Sequence, residues 1–274
     1  VALADQFDGL LIDLDGVVWI GREPVPGSAE ALAALLAAGK QLVFVTNNPA
    51  RPPERYAERL RSMGVEVGAE RIVTAGMVAA RLAGAAAGPG GSAFVIGEAT
   101  LKEMVAAAGA ELLEDEAGSE AGVVVVSGHR GFDYAELLTA KRALDGGAAL
   151  VATSQDPTMP MPGGEWPGTG SILAAVETAS GRRAEIAGKP ERHLFEIALD
   201  VLAPGSRADD VDEERRDFGR MAMVGDRISS DIDGGRAAGL ATVLVLSGTT
   251  GRAEAEAADP GPDHLLENLA GLLR

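Results

Sequence analysis

Short apolar runs alternate with helically patterned segments almost throughout this chain, and that alternation admits few folds. A continuous apolar run reads as a strand buried on both faces of a parallel sheet. Such a strand reaches its parallel neighbour only through a crossover, usually a helix. Nine strands are predicted: Phe7 to Ile12, Gln41 to Val45, Arg71 to Thr74, Ala93 to Ile96, Val123 to Val126, Ala149 to Ala152, Ala184 to Ala187, Met221 to Val224 and Ala241 to Leu246. Nine strands suggest more than one sheet. Among the helices, Ser28 should cap Ala29 to Ala38 with Gly39 stopping it, Pro52 to Met63 should end at Gly64, and Pro190 should open Glu191 to Leu202. Two stretches read as loops: Gln155 to Pro167, rich in Pro and Gly, and Pro204 to Asp217, rich in charge.

With 274 residues and 46% hydrophobic content, the chain can bury the core of one large domain or two modest ones. No apolar run approaches the roughly 18 residues of a membrane span, and no basic stretch leads into an apolar segment at the start, so the chain reads as soluble and cytoplasmic with no membrane partner. The absence of cysteine removes disulfides, thiolate metal ligands and thiol nucleophiles together. Any metal must then be held by oxygen ligands or by three scattered histidines. A net charge of -17, with no local basic patch, argues against nucleic acid as a partner. Arg far outnumbers Lys and acidic residues are spread along the whole chain, which resembles halophilic proteins; an acidic mesophile protein from a GC-rich genome has the same composition.

The residues with chemical interest gather where predicted strands end. The first strand runs straight into Asp13-Leu14-Asp15-Gly16, placing two carboxylates at the carboxyl edge of a parallel sheet, where ligands bind in open α/β folds. Two acids so close to each other and to Leu10, Leu11 and Ile12 repel and are costly to desolvate, and a hard divalent cation relieves both problems. The same tetrapeptide also suits a plain turn in which Gly16 supplies a positive φ. Three more segments point the same way. Gln41 to Val45 ends in Thr46-Asn47-Asn48, with hydroxyl and amide donors for phosphoryl oxygens, or for a polar turn. Ala184 to Ala187 ends in Gly188-Lys189-Pro190, where Lys189 is a compact cation or a solvated surface charge. Met221 to Val224 ends in Gly225-Asp226-Arg227, with Asp231 and Asp233 entering a Gly-rich helix from Asp231 to Gly239. Asp226 completes an oxygen-only site suited to Mg²⁺, whereas Asp231 could simply cap its helix.

In order and spacing, Asp13-Leu14-Asp15-Gly16-Val17, Thr46-Asn47-Asn48, Gly188-Lys189-Pro190 and Gly225-Asp226-Arg227 with Asp231 resemble the haloacid dehalogenase superfamily of phosphatases. The resemblance spans essentially the whole chain and is narrowest to NagD-like class IIA members, which include nitrophenylphosphatase-type enzymes. It implies a Rossmann-like parallel-sheet core domain, residues 1–76 plus 184–274, with an α/β cap domain, residues 77–183, inserted between the second and third motifs. Ala152-Thr153-Ser154-Gln155-Asp156-Pro157 and Pro167-Gly168-Thr169-Gly170-Ser171 are similar to segments of such caps. Many relatives carry Asn where Ser154 stands and an Asp-Arg pair where this chain has His129-Arg130. Arg130 and Asp156 are candidate substrate contacts, and His129 is either a structural histidine or a substrate donor.

The same resemblance implies roles residue by residue. Asp13 is the nucleophile, and Asp15 is the general acid that protonates the departing oxygen and then the base for water. Thr46, Asn47 and Lys189 bind the phosphoryl oxygens. Mg²⁺ is held by Asp13, the backbone carbonyl of Asp15 and Asp226, while Asp231 orients a metal-bound water or Lys189. The implied activity is hydrolysis of a small phosphorylated metabolite, such as a sugar phosphate or nucleotide, through a phospho-aspartyl intermediate. A phosphotransferase or mutase on the same scaffold, and a catalytically silent phosphometabolite-binding protein, are the alternatives. A dehalogenase has no use for Asp15, because a halide leaves without a proton. The sequence leaves oligomeric state open, a homodimer included.

Overall fold

The computed structural model describes residues 2–161, 164–202 and 220–274; the predicted loop Pro204 to Asp217 lies outside them. The chain starts with β1 (Gly9–Asp13), a small hairpin of β2 (Trp19–Ile20) and β3 (Glu23–Pro24), then α1 (Ser28–Ala37), β4 (Gln41–Thr46), α2 (Pro53–Ser62) and β5 (Ile72–Thr74). It continues through α3 (Ala75–Ala87), β6 (Ser92–Ile96), α4 (Ala99–Ala107), β7 (Glu111–Leu112), β8 (Val123–Val126), α5 (Tyr134–Asp145), β9 (Ala149–Ala152), β10 (Thr158–Met161), β11 (Gly164–Pro167), α6 (Thr169–Ser180) and β12 (Glu185–Ile186). The last part holds α7 (Arg192–Leu202), β13 (Met221–Gly225), α8 (Asp233–Ala237), β14 (Ala241–Val245), α9 (Arg252–Ala257) and β15 (His264–Leu266).

These elements divide into two units, one comprising Val1–Thr46, Pro53–Val73 and Lys189–Arg274, the other Asn47–Pro52 and Thr74–Gly188. The first is built on a six-stranded sheet of order β15-β14-β13-β1-β4-β5. β1 is central, parallel to β13 on one side and to β4 on the other. All five of its residues are buried, as a strand covered by helices on both faces must be. On one face Leu10 and Ile12 join Leu32 of α1, Phe44 of β4 and Leu60 of α2 in one apolar cluster. Leu10, Leu11 and Ile12 are fully buried, worth roughly 2 kcal/mol each, and this burial offsets the cost of carrying Asp13 into the interior at the strand's end.

The second unit has its own parallel sheet, of order β12-β9-β8-β6-β7, and its own core, in which Ile96, Val124, Val126 and Leu150 meet Leu173 and Val176 of α6. Mixed α/β structure with parallel sheets is thus found in both units.

Several expectations need correction. The strand predicted at Ala184 to Ala187 does not join the sheet of Asp13. Its observed part, β12, pairs with β9 in the second sheet, Glu185 beside Val151 and Ile186 beside Ala152. Residues 184–188 therefore belong with the second unit, because backbone pairing outranks position along the chain. The segment Gln155 to Pro167 is not all loop: β10 and β11 pair as an antiparallel hairpin within it. Ser28 is the first residue of α1 rather than its cap, a place taken by Gly27 at φ +79°; the Ser28 hydroxyl instead donates to the Val18 carbonyl at 2.9 Å. The helix predicted from Asp231 begins earlier, as a single π turn over Ile228–Ile232 that runs into α8. No helix among the described residues is long and apolar enough to cross a membrane.

Candidate active site

β1 and β13 run side by side in the register Ile12 to Val224, so the residues that follow emerge together. Asp13 and Asp226 are 6% and 4% exposed, and Asp231, from the π turn after β13, is 1% exposed. One carboxylate oxygen from each lies within 4.8 Å of the others. Lys189 enters this acidic cluster just ahead of α7. Its ammonium donates to Asp13 Oδ1 at 2.5 Å and to Asp231 Oδ1 at 2.6 Å. The reading of Lys189 as a solvated charge is thereby excluded.

Burial sets the electrostatics. It pushes the Asp13 carboxyl well above its usual range; Lys189 pulls it back, while Asp231 and Asp226 push it further up. Burial and then the charge of Asp231 raise Asp226 to about 6, against hydrogen bonds from Thr249. Burial alone would lower the pKa of Lys189, but Asp13 and Asp231 outweigh it and raise it, so the ammonium stays charged. Three carboxylates against one ammonium leave two negative charges uncompensated in a nearly dry place. Oxygen donors, this spacing and this surplus all fit a hard divalent cation.

The three acids are not equally free to bind one. Asp231 is occupied on both oxygens: Oδ1 accepts from Lys189, and Oδ2 accepts the backbone N–H of Asp226 at 3.2 Å and of Arg227 at 3.0 Å. It is a brace for the loop and the lysine, not a helix cap. Asp226 Oδ2 accepts the Thr249 N–H at 2.6 Å. Three glycines make this packing possible. A Cβ on Gly16, where φ is +92°, or on Gly248 would strike the Asp226 carboxylate, and one on Gly225 would strike Asp231.

Asp15 sits just above this floor, half-buried. Its Oδ1 accepts the Trp19 indole N–H at 3.1 Å, and Thr46 at the end of β4 holds its hydroxyl 3.5 Å from Oδ2. The remaining candidates fall in the second unit. Asn47 Nδ2 donates to Asp156 Oδ2 at 3.0 Å, and the Ser154 hydroxyl donates to the same oxygen at 2.6 Å. Arg130 lies over the Trp166 ring, 4.4 Å from its centroid. His129 Nε2 is 2.9 Å from Glu136 Oε2, and its Nδ1 accepts the Gly131 N–H.

Known proteins share this framework. Residues 10–111 match the family of haloacid dehalogenase-like hydrolases, and residues 186–272 match a second, HAD-hydrolase-like, family. Chronophin from Rattus norvegicus is 36% identical over 98% of this chain and 87% of its own length. The chain belongs to the haloacid dehalogenase-like hydrolases. Two solved phosphatases of this kind match it along its length. The p-nitrophenyl phosphatase from Archaeoglobus fulgidus has a TM-score of 0.84 and 33% identity over 97% of this chain and 98% of that one. The glycerol phosphate phosphatase from Mycobacterium tuberculosis, solved in complex with magnesium, has a TM-score of 0.84 and 33% identity over 100% of this chain and 78% of that one. The resemblance read from the four motifs is therefore shown at the level of family and nitrophenylphosphatase-type likeness.

Sequence reasoning missed Trp19, Gly248 and Thr249 in this hydrolase. For Gly248 and Thr249 a signal was available, since Ser247-Gly248-Thr249-Thr250 follows a predicted strand, Ala241 to Leu246, and puts hydroxyls and a glycine at a strand end as Thr46 and Gly16 do after theirs.

The raised Asp226 carboxyl makes a testable demand. In metal-free protein folding takes up a proton there. The stability this adds is complete below the ordinary 3.8 and is lost as pH rises through about 6. The thermal midpoint of EDTA-treated protein should therefore fall more steeply between about pH 4 and about pH 7 than that of Asp226→Asn, which has no proton to release. Parallel slopes would contradict the assignment.

Proposed function

We propose that this chain is a Mg²⁺-dependent phosphomonoester hydrolase that works through a phospho-aspartyl intermediate on Asp13. The observation that carries this reading is the buried set of Asp13, Lys189, Asp231 and Asp226 at the ends of β1 and β13. The names of the two matched solved phosphatases, one of them a complex with magnesium, support it.

Asp13 and Asp226, with the backbone carbonyl of Asp15, would hold Mg²⁺, which supplies positive charge to the phosphoryl oxygens and keeps Asp13 ionised. In the first step a carboxylate oxygen of Asp13 forms a bond to phosphorus as the ester P–O bond breaks, and Asp15 gives its proton to the departing oxygen. In the second, Asp15 takes a proton from water, the water oxygen bonds to phosphorus, and the acyl phosphate bond breaks. Inorganic phosphate leaves and both aspartates are restored. Lys189 and Thr46 donate to phosphoryl oxygens, where charge is spread in the transition state, and the family motif assigns Asn47 to the same task. Asp231 keeps Lys189 in place.

Water as the acceptor, rather than a sugar, is the reading favoured by the hydrolase family and by the phosphatases it resembles. Substrates named for the relatives make glycerol phosphate the first compound to test. We assign residues 74–188, with Arg130 and Asp156, to substrate choice. In a phosphate-release panel of phosphomonoesters, EDTA should abolish turnover and Mg²⁺ should restore it. Arg130→Ala and Asp156→Ala should reorder the substrates with the Mg²⁺ requirement unchanged. Full turnover in metal-free buffer would sink the metal assignment.

The role of Asp15 is tested by leaving group. Asp15→Asn should slow hydrolysis of alkyl phosphates by about 10²- to 10⁴-fold, the usual worth of general acid catalysis. Nitrophenyl phosphate should still give a rapid burst of nitrophenol followed by slow turnover, because nitrophenolate leaves without a proton while the water step loses its base. Equal slowing of both, with no burst, would remove Asp15 from acid–base work.

A further inference from the structure

Trp19 is fully buried, and a buried indole must find an acceptor for its N–H. A backbone carbonyl would serve a purely structural tryptophan. Here the acceptor is Asp15 Oδ1, at 3.1 Å. Donor and acceptor belong to one tight turn: the backbone N–H of Trp19 donates to the Leu14 carbonyl at 3.2 Å, and the backbone N–H of Gly16 donates to the Trp19 carbonyl at 2.7 Å. Their separation is thus set by the turn itself.

The ring is also held from outside the turn. Tyr56 of α2 lies parallel to it, at 4° and 6.3 Å between centroids. The Arg59 guanidinium, one helical turn further on, sits 3.9 Å from the centroid and is anchored by a 2.9 Å hydrogen bond to the Gly21 carbonyl. A cation over the π face draws electron density from the indole and strengthens its N–H as a donor. A tryptophan serving only as core would need the stacking and not the carboxylate.

We propose that Trp19 is a positioning residue for the acid–base step, fixing the rotamer of Asp15 by occupying Oδ1 so that Oδ2 is the oxygen that exchanges the proton with the leaving group and with water. Oδ2 is the oxygen turned towards Thr46 at the end of the adjoining strand β4. An aspartyl carboxyl without this clamp rotates about two single bonds and spends less time aimed at the reacting oxygen, which lowers the rate without weakening substrate binding. The inference rests on the reading of Asp15 as general acid and base.

The test replaces Trp19 with 3-benzothienylalanine, which keeps the bicyclic shape and has sulfur in place of the N–H. On glycerol phosphate, kcat should fall about 10-fold, the size of an ordinary hydrogen bond, with KM held within about twofold. The rate of first nitrophenol release, read by rapid mixing with enzyme in excess, should stay at the wild-type value, as should the thermal midpoint. Asp15→Asn run alongside separates two kinds of failure. If Asp15→Asn does not discriminate by leaving group, the acid–base reading itself is wrong. If it does discriminate and the Trp19 isostere matches wild type, or slows the first release of nitrophenol as much as it slows glycerol phosphate, the positioning role is overturned. A second measurement does not depend on any variant at position 19. The chain has only two tryptophans, so the Trp19 indole N–H resonance can be followed by ¹H–¹⁵N NMR, and Asp15→Ala should shift it. An unmoved resonance would overturn the contact.

Discussion

The ammonium of Lys189, held between Asp13 and Asp231 with 3% of its surface exposed, is the interaction on which the rest of this site depends. Three carboxylates cannot share a buried pocket unaided, since each pays for desolvation and repels the other two. Lysine removes part of that conflict at fixed cost to the fold. Deleting one member of a buried ion pair typically costs about 3–5 kcal/mol, because the partner is left charged and unpaired. Lys189 thus has a structural duty beside the chemical one proposed for it. Burial first, and then the surplus of acid that remains, raise the Asp13 and Asp226 carboxyls, and that uncompensated charge suits the pocket to a divalent cation.

Local chain geometry turns that charge arrangement into a rigid one. β1 is locked between β13 and β4 by parallel pairing, and Gly16, Gly225 and Gly248 let neighbouring backbone approach the acids more closely than any side chain would allow. The amides of Asp226, Arg227 and Thr249 then point at carboxylate oxygens. Fixed donors and fixed charges need no reorganisation when phosphorus changes coordination, which is the advantage of an active site built on strand ends. Asp15 is set apart from this floor, bonded to a neutral indole instead of an ammonium, and that difference in partners suits the separate roles proposed for the two carboxylates.

Much of this was legible before the structure. Strands such as Val123–Val126 and Ala149–Ala152 lie where apolar runs end cleanly in polar residues, and Asp13, Thr46 and Asp226 follow runs of the same kind. Partnership was not legible. An apolar run at residues 184–187 carries no mark of the sheet it will join, so it was assigned to the core domain and pairs with β9 in the second sheet instead. Two- and three-residue strands such as β2, β3 and β15 have too few residues to show a period. Trp19 was missed, because a sequence gives the residue's bulk and not the acceptor of its N–H. Ser28 looked like a helix cap for the opposite reason: its hydroxyl was visible and its true partner, the Val18 carbonyl, was not.

The central claim is that phosphate passes through a covalent bond to Asp13, and it can be read directly. Enzyme turning over nitrophenyl phosphate is quenched in acid, treated with borohydride, which reduces an acyl phosphate to an alcohol, and digested for peptide mass spectrometry. The account predicts homoserine at position 13, appearing only when substrate is present. No reduction there, or reduction at Asp226 or Asp231 in its place, would contradict it.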